Sequence, residues 1–173
     1  MGEFPVLFNA ELNTTTLAST SMVFHCHYYN CAIQKVIEEA MGEKAKNVFQ
    51  QAAVKAVLSQ LATLIEKEEN LESKFERGFA LLKQLGFGYF DFSNLNSTGG
   101  VVTSNSSHYA LGWLSEYAER EDPICDFITG YIQALFAVAL NVPSEQVKVR
   151  EAECMATGAM ECRFVVEMLS ELK

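Results

Sequence analysis

Residues 147–168 have the sequence VKVREAECMATGAMECRFVVEM, and this stretch carries most of the information about the fold. Apolar and polar residues alternate on both sides of its centre, which predicts strands over 147–152 and 163–168. Thr157-Gly158 between them can supply a tight reversal. The stretch is therefore predicted to be a β-hairpin, with Cys154 and Cys162 brought close together near its tip.

The pattern upstream of this hairpin changes to a helical period. The apolar run over 126–140 predicts a buried helix, because Asp122-Pro123 precedes it and Asn141-Val142-Pro143 follows it. The remaining predictions are an extended segment over 6–24, helices over 28–40, 43–67, 71–85 and 111–119, a strand over 89–92, a turn over 94–100, and a strand over 101–108. The order is β-α-α-α-ββ-α-α-ββ, which indicates an α+β domain with an antiparallel sheet packed by helices.

Length and charge restrict the classes of protein. With 173 residues, we expect a single domain over 1–173. A net charge of −9 disfavours nucleic acid and anionic membrane surfaces as partners, and the longest apolar run is too short to span a bilayer. Five cysteines without a secretory signal indicate reduced thiols in the cytoplasm. No nucleotide-binding or catalytic motif is recognisable, so an enzyme is the less favoured interpretation.

Four residues of this region have the chemistry of a metal site. Cys125 stands at the start of the buried helix, where the helix dipole favours a thiolate. Cys154, Cys162 and Glu151 lie in the hairpin. Three sulfur ligands and one carboxylate suit tetrahedral Zn²⁺ in a structural role, although iron also accepts thiolates and reduced core thiols remain an alternative. Glu153 is an alternative carboxylate.

The spacing of these residues resembles that of a known family. The matching pattern is Glu151-x2-Cys154-x3-Gly158-x3-Cys162-x-Phe164, preceded by Cys125-x-Phe127-x2-Gly130-Tyr131. It resembles the 4-vinyl reductase domain family, whose fold is shared by NO-signalling and Golgi-transport proteins. The resemblance implies a domain that binds hydrocarbon-like or aromatic molecules. It also implies a structural zinc ion held by Cys125, Glu151, Cys154 and Cys162.

A second polar cluster surrounds the predicted start of the first helix. His25, His27 and Cys31 lie there, and His108 is predicted to end the strand over 101–108 and approach them across the sheet. One hypothesis is a pocket wall, or a second set of metal or haem ligands. The alternative is a strand-to-helix junction whose histidines bond backbone groups. Trp113 is a candidate for a pocket lid or, on the alternative view, for core packing.

Three functions are consistent with these features. The first is a stand-alone sensor or carrier that binds an apolar or aromatic small molecule and passes its signal through a partner protein. The second is an enzyme or accessory protein for a tetrapyrrole or other unsaturated ligand, with the three histidines as polar groups. The third is a non-catalytic assembly protein. We also expect a homodimer, with the helix over Val48–Leu64 as a candidate contact.

Overall fold

A computed structural model describes residues 4–18 and 20–169 of the chain. The helices are α1 (His27–Met41), α2 (Lys44–Ile65), α3 (Leu71–Gln84), α4 (His108–Glu116) and α5 (Asp126–Leu140). The strands are β1 (Val6–Asn9), β2 (Thr14–Leu17), β3 (Thr20–Met22), β4 (Asp91–Asn96), β5 (Gly99–Ser104), β6 (Val147–Glu153) and β7 (Cys162–Met168). The predicted α+β class, with antiparallel sheets packed by helices, is confirmed.

The larger sheet contains the predicted final hairpin. Its strand order is β4-β5-β7-β6, and all its pairs are antiparallel. Alternate residues of β6 point inward, which buries Val147, Val149 and Glu151 while the residues between them stay exposed. On β7 the same alternation buries Cys162, Phe164 and Val166. The sheet therefore presents one apolar face, with a carboxylate and a thiol at one end of it.

Helix α5 is the centre of the main core. Eleven of its fifteen residues are buried, because α2 packs along it and β6 covers another side. The crossing with α2 is close at Gly130, where an added Cβ would lie 2.4 Å from the Gln50 carbonyl oxygen. Only glycine allows that approach. The bounds predicted for this helix, 126–140, are confirmed.

The N-terminal segment differs from its prediction. In place of one extended segment over 6–24, three short strands form a separate sheet in the order β1-β2-β3. The side chain of Asn9 accepts hydrogen bonds from the backbone N–H groups of Glu11 and Leu12, which turns the chain after β1. Positive φ angles at Asn13 and Ala18 bracket β2. The run of threonines favours extended structure without revealing these turns.

The prediction for His108 is wrong. Strand β5 ends at Ser104, and His108 is the first residue of α4. The helix begins there because Ser107 takes a non-helical backbone conformation just before it, and the Ser107 carbonyl accepts the N–H of Leu111. The turn predicted over 94–100 is also tighter, since β4 continues to Asn96 and β5 begins at Gly99.

Helix α2 is long and apolar enough, by length and composition alone, to cross a membrane. The core helices of globular proteins pass the same test. Six residues of α2 are buried in this structure, among them Val54, Val57 and Leu61. These residues pack in the main core together with α5.

Candidate functional site

The four predicted metal ligands lie together in the structure. One side-chain donor atom from each of Cys125, Glu151, Cys154 and Cys162 lies within 4.8 Å of the other three. All four residues are buried. The Sγ atom of Cys162 lies 3.8 Å from that of Cys125 and 3.9 Å from that of Cys154. The group can therefore hold a metal ion at the junction of α5 and the β6–β7 hairpin.

Glu151 is fixed by one of its two oxygens. Oε2 accepts the backbone N–H of Cys125 at 2.8 Å, which binds the hairpin to the start of α5. Oε1 is buried and has no hydrogen-bond partner in the described part of the chain. A buried carboxylate oxygen without a donor is costly unless a cation satisfies it. Glu153 is exposed and does not belong to the group, so the carboxylate of the cluster is Glu151.

The thiols are not equivalent. Hydrogen bonds from Cys125 and Cys162 hold the pKa of Cys154 well below its usual range. Burial raises the pKa of Cys125. Burial, followed by the charge on Cys154, raises the pKa of Glu151 to about 8. Of the three thiols, Cys154 is thus the one whose thiolate form its neighbours favour, and a thiolate is the form of cysteine that binds a metal cation.

Hydrogen bonds within the loop fix the conformation of the segment from Cys154 to Ala159. The Cys154 carbonyl accepts the N–H groups of Thr157 and Ala159 and the hydroxyl of Thr157. Gly158 has a φ of 86°, a conformation that side chains disfavour. The predicted reversal at Thr157-Gly158 is thus present, and it returns the chain to Cys162 at the start of β7.

A cavity of about 420 Å³ lies on the other side of the α4–α5 junction, between the N-terminal sheet and the main core. Its wall is largely apolar. Phe87, Phe127 and Tyr109 stack against one another along one side. The polar groups of the lining belong to Thr15, His25, Asn30, Gln84, His108 and Tyr109. A cavity of this size and composition is typical of a site for a small organic molecule.

The predicted pocket residues divide into two groups. His25 and His108 line the cavity. His27 and Trp113 lie outside its lining. His27 is 3.5 Å from Glu116, whereas the Trp113 ring packs at a tilt against Tyr117 and its Nε1 donates a hydrogen bond to the Ala118 carbonyl. These contacts are those of packing residues. The ligand-binding roles of all four residues stay predictions.

The histidine cluster does not form a second metal group. Within residues 4–18 and 20–169, the cysteine–glutamate cluster alone brings three or more ligand side chains together. His108 instead contacts Asn30, whose side-chain nitrogen lies 3.0 Å from Nε2. Burial lowers the pKa of His108, and the charge of His27 lowers it further. The cavity wall therefore favours the neutral form of His108.

Ser107 connects the two sites and is absent from the sequence predictions. Its hydroxyl lies 3.1 Å from Sγ of Cys125, and both residues are completely buried. The next two residues, His108 and Tyr109, line the cavity, as does Phe127, two residues after Cys125. The contact has little signal in the sequence, because Ser107 belongs to a run of small polar residues typical of a loop.

Comparisons with known proteins agree with this geometry. The model of the 4-vinyl reductase domain matches residues 113–168, which include α5, the final hairpin and all four cluster residues. These residues, about a third of the chain, are similar to that domain. The predicted resemblance to that family is thereby confirmed. No curated protein matches the chain.

Two solved structures share the fold of this protein. One is the phenol-responsive sensory domain of the transcription activator PoxR with phenol, at a TM-score of 0.80 and 17% identity. That match covers 97% of this chain and 87% of the other. The second is a vinyl-4-reductase family protein from Methanocaldococcus jannaschii, at a TM-score of 0.57 and 16% identity, covering 88% and 87%. At these identities the likeness establishes the fold.

Proposed function

We propose that this protein binds an apolar or aromatic small molecule in the cavity between the N-terminal sheet and the main core. The observation that carries the proposal is the cavity itself: about 420 Å³, walled by stacked aromatic rings, with His25 and His108 among a few polar groups. The phenol-bound sensory domain of PoxR, which has the same fold, supports an aromatic ligand. The domain would act as a stand-alone sensor or carrier in the cytoplasm, and a partner protein would transmit its signal.

Zinc is the ion that we propose for the cluster. Zinc–sulfur bonds of about 2.3 Å in a tetrahedron place two sulfur ligands about 3.8 Å apart. The Sγ distances of 3.8 and 3.9 Å in the cluster fit that geometry. The unpartnered Oε1 of Glu151 fits the fourth ligand. Four protein ligands leave no position for water, so the ion would be structural and would clamp the β6–β7 hairpin to α5.

Metal analysis and ligand titration test the two parts separately. Mass spectrometry of the purified, untagged protein should find about one zinc ion per chain. Titration with 2-naphthol, followed by its fluorescence, should show saturable binding with one site per chain. A protein without metal would contradict the zinc proposal. A protein that binds neither 2-naphthol nor phenol saturably would contradict the cavity proposal.

A further inference from the structure

A second cavity lies against the other face of the N-terminal sheet. It is a groove of about 490 Å³ between that sheet, the end of α2 and helix α3. Successive residues of a strand point to opposite faces of a sheet. Val6 of β1 accordingly lines the ligand cavity described above, whereas its neighbour Leu7 lines the groove. Leu17 and Ala18 divide between the two in the same way, so the sheet separates the groove from the cavity.

The charged side chains of this groove are both basic. They belong to Lys67 and Arg77, and no carboxylate belongs to the lining. The chain as a whole has a net charge of −9, so a cavity with two cations departs from its composition. Within residues 4–18 and 20–169, neither cation takes part in an ion pair. We refer to this cavity as the cationic groove.

The ligand cavity differs from the cationic groove in charge. Its lining contains histidines, amides and hydroxyl groups, but no Lys, Arg, Asp or Glu. A carboxylate that enters an apolar cavity without a cation loses its hydration and gains no partner. In the cationic groove the same carboxylate would meet two positive charges. The two faces of the N-terminal sheet are therefore suited to ligands of different charge.

The guanidinium of Arg77 is held in place by an aromatic ring. Its carbon Cζ lies 4.0 Å from the centroid of the Phe4 ring. Phe4 is fixed in turn by Gln84, whose side chain accepts the Phe4 N–H at 2.7 Å and donates to the Phe4 carbonyl at 2.6 Å. A guanidinium that is stacked on a ring keeps the N–H groups of its edge, which can donate two parallel hydrogen bonds to one carboxylate. Arg77 is therefore oriented for a planar anion.

The remaining wall of the cationic groove is suited to the apolar body of such a molecule. Pro5, Leu7, Ala18 and Leu64 belong to it. An aromatic ring or an alkyl chain that covers these side chains removes apolar surface from water. An inorganic anion would leave this wall uncovered. A flat anionic membrane would meet the acidic residues that flank Lys67 in the run Glu66-Lys67-Glu68-Glu69, and these would repel it.

We propose that the cationic groove binds a small carboxylate with an apolar body. Arg77 would bond the carboxylate through its N–H edge, Lys67 would add a second positive charge, and Leu7 and Leu64 would contact the hydrocarbon. The groove and the ligand cavity share no lining residue. The proposal is therefore independent of the neutral ligand proposed for the cavity, and both molecules should bind at once.

Isothermal titration calorimetry with 2-naphthoate tests the site. This probe has the same rings as 2-naphthol and carries a carboxylate in place of the hydroxyl group. The wild type should bind one 2-naphthoate per chain with a Kd below about 1 mM. Saturation of the protein with 2-naphthol should leave that Kd within about twofold of its value. His108→Ala should also leave it unchanged, because His108 lines the cavity and not the groove.

Two variants test the cations. Arg77→Gln should weaken 2-naphthoate binding by about 10-fold or more, the loss of hydrogen bonds to a charged group. Lys67→Gln should weaken it by about 2- to 5-fold, as expected for an exposed ion pair. Lys55→Gln is the matched control, since it removes one positive charge from an exposed position of α2 outside the groove. It should leave the affinity within about twofold of wild type.

The affinity for 2-naphthol and the melting temperature show whether the variants are folded. Arg77→Gln also removes the contact with the Phe4 ring, so it is the variant at risk. If it fails to fold, Lys67→Gln decides the question, because Lys67 is exposed.

Three results would overturn the proposal. One is the absence of saturable 2-naphthoate binding up to about 1 mM. Another is displacement of 2-naphthoate by 2-naphthol, because one cavity would then hold both molecules. The third is an equal loss in Lys67→Gln and Lys55→Gln, because the anion would then respond only to the net charge of the chain.

Decanoate distinguishes aliphatic from aromatic acids. If decanoate displaces 2-naphthoate from the wild type, the groove accepts fatty acids; if it does not, the groove selects aromatic acids, and both results support the site. A protein that binds 2-naphthoate but not 2-naphthol would support the groove and contradict the proposed function of the cavity. The failure of one site is thereby distinguished from the failure of the other.

Discussion

At the scale of single residues, Cys154 distinguishes a metal clamp from a set of core thiols. Hydrogen bonds from its neighbours favour its thiolate form, and its sulfur lies 3.9 Å from the sulfur of Cys162. Cys154→Ser replaces a soft ligand with a hydroxyl, so metal content should fall to near zero. Because metal binding is coupled to folding, the free energy of unfolding should drop by about 3 to 5 kcal/mol. Metal analysis and urea unfolding of the same samples measure both.

The control for this variant is Cys26→Ser. Cys26 is exposed and lies outside the cluster, so the change should alter the free energy of unfolding by less than about 0.5 kcal/mol and retain the metal. If Cys154→Ser is as stable as Cys26→Ser, the three buried cysteines only pack in the core and do not form a metal clamp.

His108 is the residue with which to test the cavity wall. Removal of its imidazole by His108→Ala should weaken the binding of 2-naphthol by about 3- to 10-fold, the loss of one hydrogen-bonding group. His27→Ala is the matched control, since His27 lies outside the lining, and its affinity should stay within about twofold of wild type. Similar losses in the two variants would show that His108 acts through packing.

The titration of His108 gives a second readout with a defined sign. Its pKa is lowered in the folded state, first by burial and then by His27. As pH falls below about 6.5 the unfolded chain binds a proton that the folded chain resists, and stability decreases until pH passes below the folded pKa. His108→Ala removes this loss. As pH is lowered from about 7.5 to about 5, the free energy of unfolding should therefore fall more for the wild type than for His108→Ala. Urea unfolding at the two pH values measures the difference.

At the scale of elements, the crossing of α2 and α5 depends on a glycine. A Cβ at Gly130 would lie 2.4 Å from the carbonyl oxygen of Gln50, which is backbone and cannot move aside. Gly130→Ala should therefore destabilise the protein by about 1 to 3 kcal/mol. At Gly78 of α3 an added Cβ would meet the side-chain end of Leu135, which can rotate. Gly78→Ala should therefore destabilise the protein less than Gly130→Ala. Chemical denaturation of both variants measures the two losses. A larger loss for Gly78→Ala would show that α2 and α5 can move apart at Gly130.

Elements with a clear local signal can be predicted from the sequence, and elements that depend on contacts in the folded chain cannot. Helix α5 is predictable to the residue because Asp122-Pro123 and Asn141-Val142-Pro143 mark both ends and its apolar run has one interpretation. The final hairpin follows from alternation around Thr157-Gly158, and the four-residue cluster follows from the resemblance to the 4-vinyl reductase domain family. The N-terminal sheet and the start of α4 escape prediction. Their turns depend on Asn9, Ala18 and Ser107, whose hydrogen bonds and φ angles form in the folded chain and leave no periodic signal.

The cavity is predictable only in part for a related reason. His25 and His108 stand out as polar residues in an apolar setting, and both line it. Phe87 and Phe127 come from a loop and from the first turn of α5, far apart in sequence. Their stacking at 4.9 Å depends on how α4 and α5 meet. No local pattern distinguishes these rings from the other phenylalanines of the core.

At the scale of the whole molecule, the metal cluster and the cavity lie next to each other, on either side of the junction of α4 and α5. Ser107 contacts Cys125, and the cavity is lined by His108, which follows Ser107, and by Phe127, two residues after Cys125. A metal ion at the cluster would hold the start of α4 and the start of α5 in one arrangement, which is the arrangement that forms the aromatic wall. Two sites that stabilise the same arrangement favour each other's ligands.

Metal removal should therefore weaken the binding of 2-naphthol, by about 5-fold or more if the coupling is of ordinary strength. Linkage requires the reverse effect to be equal: saturating naphthol should raise the affinity for zinc by the same factor, measured by competition with a chelator dye. Ser107→Ala removes the contact between the sites. In that variant, metal should have little effect on naphthol affinity, and naphthol should have little effect on zinc affinity. Because all four residues of the cluster remain in that variant, it should still bind zinc. Equal naphthol affinity with and without metal in a folded wild type would show that the two sites are independent.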